Sequence, residues 1–532
     1  MSGWLLGLGI RALQVIVEAS PTLLCGLVTA GVLRRMVGPA GTRQLFGASG
    51  FWGLLRSWAL GMLLPVCALG VLPVCRELRR AGVSGGNILA FALVGPLLNP
   101  INFLYGLTLG EPKIILCFAV GSLFLALVGG LIWERFFPQA NQPDPAAVAA
   151  AEAEPLPTPG LRRVLAVAVT AARETIGPLL LYYLVAAGIS GLVSAALPAG
   201  SLQKTMLRDD PLSPLMMTAV GSMVYMGPLP GMMRIGAMFE HGNSVGAAFV
   251  LLVLGIGGNL GVVLWTMKSF GWRSALAWFA LVVTLTLATA YAIERPLRTA
   301  IQPLDHTHAF DDFTNPFADP WNVSLTEASI KLAQRVDVLE LAALPCLLLL
   351  VLAGLIDRIG VVRGWLEAWL TQPVPRSKWD ILIPGPVLGA LSIVGLLIFS
   401  ILSAFIFYPD ADTVLGDMSR VYAEVGSPLR NARREKLRPE QRDEVIVRLE
   451  QWDLLTRKLQ VGHLLRTWKQ DGDLTRLGEE LREKLETVRD SLLAHEDAQA
   501  SEAMDQAKKV YDALKRHLRP PTPTPWGSDA GD

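Results

Sequence analysis

The 532-residue chain is short of charge and short of cysteine. Asp, Glu, Lys and Arg make up 17% of it, against 52% hydrophobic residues. A soluble domain carries about 25% charged residues, so this balance argues against an ordinary water-soluble globule. The five cysteines, Cys25, Cys67, Cys75, Cys117 and Cys346, all sit in apolar stretches. Their spacing matches neither a disulfide framework nor a zinc site. The formal charge is +1, and no basic stripe with interleaved aromatics appears, so no nucleic-acid partner is expected. There is no phosphate-binding loop, triad signal or HExxH, so neither an enzyme nor a cofactor is expected. The N-terminus has no basic leader and Glu18 interrupts its apolar run, which is not a signal peptide. The first helix is therefore expected to stay in the bilayer.

What the chain has in abundance is long apolar runs; the mean hydropathy is +0.42. A helix needs about 20 such residues to span a bilayer. Runs that qualify are 12–33, 87–109, 114–134, 174–195, 245–267, 274–293, 336–356 and 381–407. Two more, 52–75 and 212–238, are broken by Pro65 and Pro73 and by Pro228 and Pro230.

The segments 82–137 and 242–297 repeat each other at an offset of 160 residues without a gap. Gly82, Ser84, Gly86, Gly95, Asn99, Leu104, Glu134 and Arg135 fall on Gly242, Ser244, Gly246, Gly255, Asn259, Leu264, Glu294 and Arg295. Helix-weakening residues at matching places in two apolar halves point to a transporter core. In lipid such breaks are tolerated only where backbone lines a cavity or is buried in protein. The plainer alternative is helix packing through small residues. Extended backwards through the broken runs, with Glu18 and Pro21 in one unit and Glu174 and Pro178 in the other, the units are roughly 10–137 and 166–297.

Basic residues set the orientation. Arg34, Arg35 and Arg43 follow the first span, and Arg76, Arg79 and Arg80 follow the first broken run. Both clusters favour the cytoplasm, which requires 52–75 to enter and return on one side. Three spans per unit then make the second copy inverted. Lys268, Arg273, Arg358, Arg363, Arg376 and Lys378 come out inside, while Arg295 and Arg298 come out outside, against the rule. Four full spans and parallel repeats are the rival arrangement.

The expected fold class is thus all-α: a polytopic membrane protein with two related, inverted repeats containing broken or re-entrant helices, plus a C-terminal soluble helical bundle. The expected order is repeat one over 1–137, a flexible Pro/Ala/Glu-rich linker over 138–165, and repeat two over 166–297. A polar loop over 298–335 and two further spans within 336–408 follow. From Asp410 about a third of the residues are charged. Val445, Leu449, Leu454, Leu459 and Leu464, then Leu474, Leu477, Leu481 and Leu485, recur at helical spacing, so 409–518 reads as a soluble bundle with coiled-coil-like pairing. The tail 519–532 is disordered by composition.

The run 65–73, PVCALGVLP, is followed by the basic loop Arg76–Arg80, the Gly-rich entry at Gly82 and the break Pro96-Leu97-Leu98-Asn99-Pro100. In this order of motifs the chain resembles the bacterial predicted-permease family that includes the methylarsenite efflux permeases, over about residues 10–297. The resemblance implies an inner-membrane permease with two related halves, and a substrate only weakly. Many members carry Cys-x-Cys-Gly in the first break; this chain keeps Cys67 but has Leu69 at the second place. A single thiol is a poor trap for a soft arsenical, and a lone buried cysteine is more often a small hydrophobe.

The residues expected to meet a small-molecule or ion substrate are Asn99, Asn259, Asn102, Cys67, Pro96, Pro100 and Arg234. An amide can bind a broken helix end or a polar solute, so Asn99 and Asn259 are either ligand contacts, caps, or both. Asn102 has Val262 at the matching place. Glu18 and Glu174 are proton-coupling candidates, because a carboxylate in a bilayer is costly unless paired or protonated. Near the surface each would instead complement a helix end. Arg234 is set to meet an anion or to snorkel. Eight methionines between Met206 and Met238 read as packing in moving helices. Asp305, His306, His308, Asp311 and Asp312 form a cluster without defined metal spacing, so no metal site is assigned. Export is the favoured direction. The alternative function is a membrane anchor or sensor whose C-terminal bundle binds a protein partner.

Overall fold

A computed structural model describes residues 3–99, 112–154, 161–198, 201–208, 210–240, 242–297, 313–317, 338–372, 410–431, 436–467 and 471–518, with isolated positions between them. Among these residues the chain is helical, with no strand. It divides into two compact units: one holds most of residues 1–403, the other most of 404–532.

In the first unit, α1 (Gly3–Val32) runs through a π-helical turn at Leu33–Val37 into α2 (Gly38–Phe46). Helix α3 (Phe51–Leu63) stops at an extended break, and α4 (Val71–Ala81) follows. Helix α5 (Gly85–Val94) also stops short, and α6 (Pro112–Phe136) is a full-length apolar helix. Two short helices, α7 (Pro138–Asn141) and α8 (Pro145–Ala153), lead to α9 (Leu161–Thr175) and α10 (Leu180–Ala196). Then come α11 (Ser213–Gly221), α12 (Pro228–Glu240) and α13 (Val245–Val250), which passes through a π-helical stretch at Leu251–Gly257. Helices α14 (Leu260–Phe270), α15 (Trp272–Glu294), α16 (Val338–Asp357) and α17 (Gly360–Thr371) complete this unit.

Among the described residues four helices are long and apolar enough to cross a membrane: Trp4–Phe46, Lys113–Phe136, Trp272–Glu294 and Leu339–Asp357. Two bent pairs add to them, Arg162–Thr175 with Leu180–Ala196 at 52° and Val245–Gly257 with Leu260–Phe270 at 59°. Several expected continuous runs therefore differ from the structure. The run 174–195 starts at a bend where Gly177 and Pro178 interrupt the helix, because proline cannot continue the hydrogen-bond ladder. The runs 87–109 and 245–267 are each divided just before an asparagine. Of the run 381–407 only isolated positions are described. The stretch 138–165, read as a flexible linker, contains α7, α8 and the start of α9. Helix α8 begins at Asp144, whose carboxylate accepts from the Ala146 amide.

Most of the repeated residues have matched structural roles. Gly82 and Gly242 both have left-handed backbone, φ 85° and 65°, closing α4 and α12. Val83 donates to the Leu78 carbonyl and Asn243 to the Met238 carbonyl, the same C-terminal cap 160 residues apart. A side-chain carbon on Gly61 would lie 3.1 Å from the Gly95 nitrogen, and one on Gly221 3.4 Å from the Gly255 nitrogen. At Gly95 such a carbon would meet Val66, and at Gly255 Met226, again matched positions.

The contacts between α1 and α9–α10 are reciprocal. Gly31 packs on the Val167 carbonyl, and Gly191 packs on the Leu8 carbonyl. The end of α1 meets the start of α9, and the start of α1 meets the end of α10. The two elements run antiparallel, and residues 31 and 191 exchange roles.

Helix ends sort into two groups. One gathers the π turn after α1, the end of α4, α8 and the ends of α6 and α14. Arg43 donates to the Ala81 carbonyl, Arg79 lies 4.7 Å over the Phe270 ring, and Trp133 meets Phe270 edge to face. The other gathers the start of α13 and the end of α15, where Glu294 accepts from Ser244 Oγ at 2.8 Å and from the Gly246 amide. Tyr291 there donates to the Pro211 carbonyl.

The second unit is built from α18 (Ala411–Asn431), α19 (Pro439–Thr467), α20 (Gly472–Leu493) and α21 (Asp497–Leu518). Their apolar faces share one core around Trp452, Met418, Val425, Leu481, Leu492 and Leu514. Arg442 clamps buried Asp497 at 3.0 Å, and Asp497 also accepts from the Leu437 amide. Burying a charge needs such a full set of partners.

Candidate functional site

The site is assembled where the break after α5 meets the break after the π-helical stretch Leu251–Gly257. A side-chain carbon on Gly257 would collide with Leu97, and would lie 3.1 Å from the Leu93 carbonyl. The last residues before each break are thus in direct contact across the repeats. Asn99 and Asn259 stand two residues beyond this contact, and each is 2% exposed.

Both asparagines cap the helix that follows them. Asn99 Oδ1 accepts from the Asn102 amide at 3.0 Å, and Asn259 Oδ1 accepts from the Val262 amide at 3.0 Å. An oxygen at the N-cap satisfies one of the four amides that a helix start leaves free. That contact uses one end of each amide group. Asn259 Nδ2 is buried with no hydrogen-bond partner among the described residues. A buried donor left open in an apolar surround costs about 1–3 kcal/mol, so a polar solute there gains what the protein forgoes. The oxygen of each asparagine thus takes the capping role, which leaves the Asn259 nitrogen over.

Asn102 lies in the same wall. Its Nδ2 reaches back to the Leu97 carbonyl at 3.4 Å, and its Oδ1 is buried without a partner among the described residues. Pro96 is buried within the break after α5; Pro100 lies outside the described residues. Cys67 is fully buried, and its sulfur accepts from the Gly70 amide at 3.2 Å. This thiol folds the break between α3 and α4 back on itself. The phenol of Tyr225, from the matching break between α11 and α12, interacts with Cys67.

Arg234 is buried against protein. It is 9% exposed, and its guanidinium lies 4.7 Å over the Phe313 ring, with Glu18 within electrostatic reach. Glu18 is half-buried on α1 and borders Gly227 in the second break. Glu174 has a different setting from Glu18. It is 3% exposed and receives Arg76 Nη1 at 2.5 Å and Arg34 at 3.9 Å. The methionines split: Met206, Met217, Met226, Met232 and Met238 are buried, while Met223 and Met233 are exposed. The Asp305, His306, His308, Asp311 and Asp312 cluster lies outside the described residues.

Arg11 goes unnoticed in the sequence, and Glu134 and Glu294 read there only as matched positions of the repeat. Arg11, 6% exposed, donates two hydrogen bonds to the Thr314 carbonyl and one to Gln14 Oε1. A lone cation in an apolar run was its available signal. Glu134 and Glu294 close the repeat as capping acids. Glu134 accepts from the Gly50 amide at 3.1 Å beside Gly86, and Glu294 sits on the amide of Gly246. Glu294 therefore places negative charge at the start of α13, where the helix dipole favours it.

Comparison with known proteins agrees with this architecture. A family model described as a predicted permease, ArsP_1, matches residues 12–295, more than half of the chain. UPF0718 protein YcgR of Bacillus subtilis (strain 168) is 29% identical over 89 residues, 17% of this chain. The chain spans 30% of that relative's length. No solved structure matches. The match covers α1 through α15, both broken runs and both asparagines, and on that ground the chain belongs to the predicted permease family.

Proposed function

We propose that the chain is an inner-membrane permease that exports a small polar solute by alternating access. The solute site lies between the two breaks, at Asn99, Asn102 and Asn259, with Cys67 and Tyr225 behind it. The observation that carries this reading is the contact of Gly257 with Leu93 and Leu97, beside a buried amide nitrogen that has no partner among the described residues. Broken helices with capped starts at a repeat interface are how transporters present polar groups inside lipid.

The repeats are read as inverted. The reciprocal Gly31–Val167 and Gly191–Leu8 contacts on antiparallel helices fit a two-fold axis perpendicular to those helices, which lies in the membrane plane when they span it. The basic ends of α1, α4 and α14 gather in one group, as a cytoplasmic face requires. Helices α3 and α4 then form a re-entrant hairpin that enters and leaves on that face. Glu18 and Glu174 are assigned to proton coupling: Glu18 borders the second break near Arg234, and Glu174 exchanges between Arg76 and a proton.

A second reading has its own support. The C-terminal helices possess a separate core, as a partner-binding module on a membrane anchor would. The deciding experiment is a growth-sensitivity screen of a deletion strain across metalloids, metals and small toxic anions, complemented with wild type and with Asn259→Leu. A permease gives a solute-specific sensitivity that wild type rescues and the variant does not. Rescue by both removes the site assignment, and the absence of any solute-specific sensitivity favours the anchor.

A further inference from the structure

Away from the breaks, three arginines converge on one carboxylate. Glu154, directly after α8, receives Arg34 Nε and Nη2 at 3.3 and 3.2 Å and Arg35 Nη1 at 2.8 Å, and Arg80 Nη2 joins its second oxygen. The arginines come from the π turn and from α4. Each is held from behind. Arg35 Nε donates to Thr170 Oγ1 at 3.0 Å, and the buried Glu77 pairs with Arg34 at 3.7 Å and Arg80 at 3.5 Å. A shallow cleft opens on this group, with about 20 Å³ left free while Glu154 is in place. Including Arg76 and Glu174, four arginines face three glutamates; without Glu154 two positive charges have no counter-charge.

Apart from Val148 packed on Gly82, the segment that delivers Glu154 has few other anchors. Of α8 only Ala151 is buried, and its other ion pair, Glu152 with Arg43, is exposed. Exposed pairs contribute little and are screened by salt. Guanidinium forks that fit a carboxylate fit a phosphate oxyanion equally, and a dianion engages more of them at once. We propose that Arg34, Arg35 and Arg80 form a binding site for a phosphate-class oxyanion, free or on a lipid headgroup, which Glu154 occupies as a tethered competitor. The proposal stands whether or not the transport reading does, because its test is a binding measurement.

The test uses the full chain in phosphatidylcholine nanodiscs, titrated with inorganic phosphate at an ionic strength held constant with chloride. Glu154→Gln, which keeps the side-chain shape, and Glu154→Ala should each bind phosphate at least tenfold more tightly than wild type. Adding Arg35→Ala should abolish the gain. Repeating the Glu154→Gln titration in phosphatidylglycerol nanodiscs distinguishes the sources: weakened phosphate binding identifies the headgroup as an occupant, and unchanged binding identifies the free anion. The proposal is overturned if monodisperse Glu154→Gln binds phosphate no more tightly than wild type, or if the gain survives Arg35→Ala.

Discussion

At the residue scale the two asparagines carry different residual chemistry although they share one capping contact. Leucine at either position removes the cap as well as the free donor, so a loss of transport alone would not separate the roles. Ser keeps a capping oxygen, stays neutral and lacks the amide nitrogen. Asn259→Ser should therefore insert and fold like wild type yet lose most transport, whereas Asn259→Leu should lose transport and also melt lower by the equivalent of about 1 kcal/mol. Transport assays paired with thermal melts of the purified protein check this; full activity of Asn259→Ser would remove the amide nitrogen from the mechanism. The glycines at the crossing of α1 with α9 and α10 make a second prediction. A methyl group at Gly31 would lie 2.8 Å from the Val167 carbonyl, and one at Gly191 2.7 Å from the Leu8 carbonyl. Gly31→Ala and Gly191→Ala should destabilise by similar amounts, about 1–3 kcal/mol each, because overpacking displaces backbone at both. Markedly unequal losses in a melting experiment would argue against equivalent contacts.

At the element scale the broken runs and the α20–α21 pairing give separate tests. If α3 and α4 form a re-entrant hairpin, a reporter fused after Arg80 reads cytoplasmic, as does one in the Arg34–Arg43 region. A periplasmic reading after Arg80 would favour four full spans per unit and parallel repeats. In the C-terminal unit, Asp471 caps α20 by accepting from the Asp473 and Leu474 amides, and its other oxygen meets His517 Nε2 at 2.8 Å. The His517 hydrogen bond, followed by the Leu474 amide, holds the Asp471 carboxyl below its usual range. A depressed folded pKa means this contribution is present above the ordinary aspartate value of about 3.9 and is lost as pH falls through the lower folded value. Amide protection at Asp473 and Leu474 in the full chain should fall with acid over that window. Asp471→Asn should flatten the fall; an unchanged acid limb would show that Asp471 is not its source.

At the scale of the whole molecule the C-terminal unit can be placed by counting crossings. On the inverted reading with the start of α1 outside, α15 would end outside and α16 would enter the cell, with Arg358 and Arg363 on the inner side. One further crossing in 381–407 would put 410–518 in the periplasm. Protease added to spheroplasts should then remove this unit while the membrane core stays intact. Protection until lysis would place it in the cytoplasm and change the count. The unit has a core of its own and lies beyond the family match, so its removal should leave basal transport in place.

Sequence alone determined that the chain is helical and apolar, that it repeats itself at 160 residues, and where its helices weaken. Composition and the spacing of glycine, proline and asparagine carry that information locally. The value of each break was legible at Asn99 and Asn259 because a cap acts within three residues. Tertiary structure alone decided which breaks touch, that Arg234 lies on Phe313, and that Glu18 and Glu174 occupy unlike surroundings. It also showed that the presumed linker holds Glu154 against Arg34, Arg35 and Arg80. None of these follows from periodicity, because each depends on side chains more than sixty residues apart meeting only after the helices pack. A charge run in a linker reads as solvated until the guanidiniums that meet it are brought together from other elements.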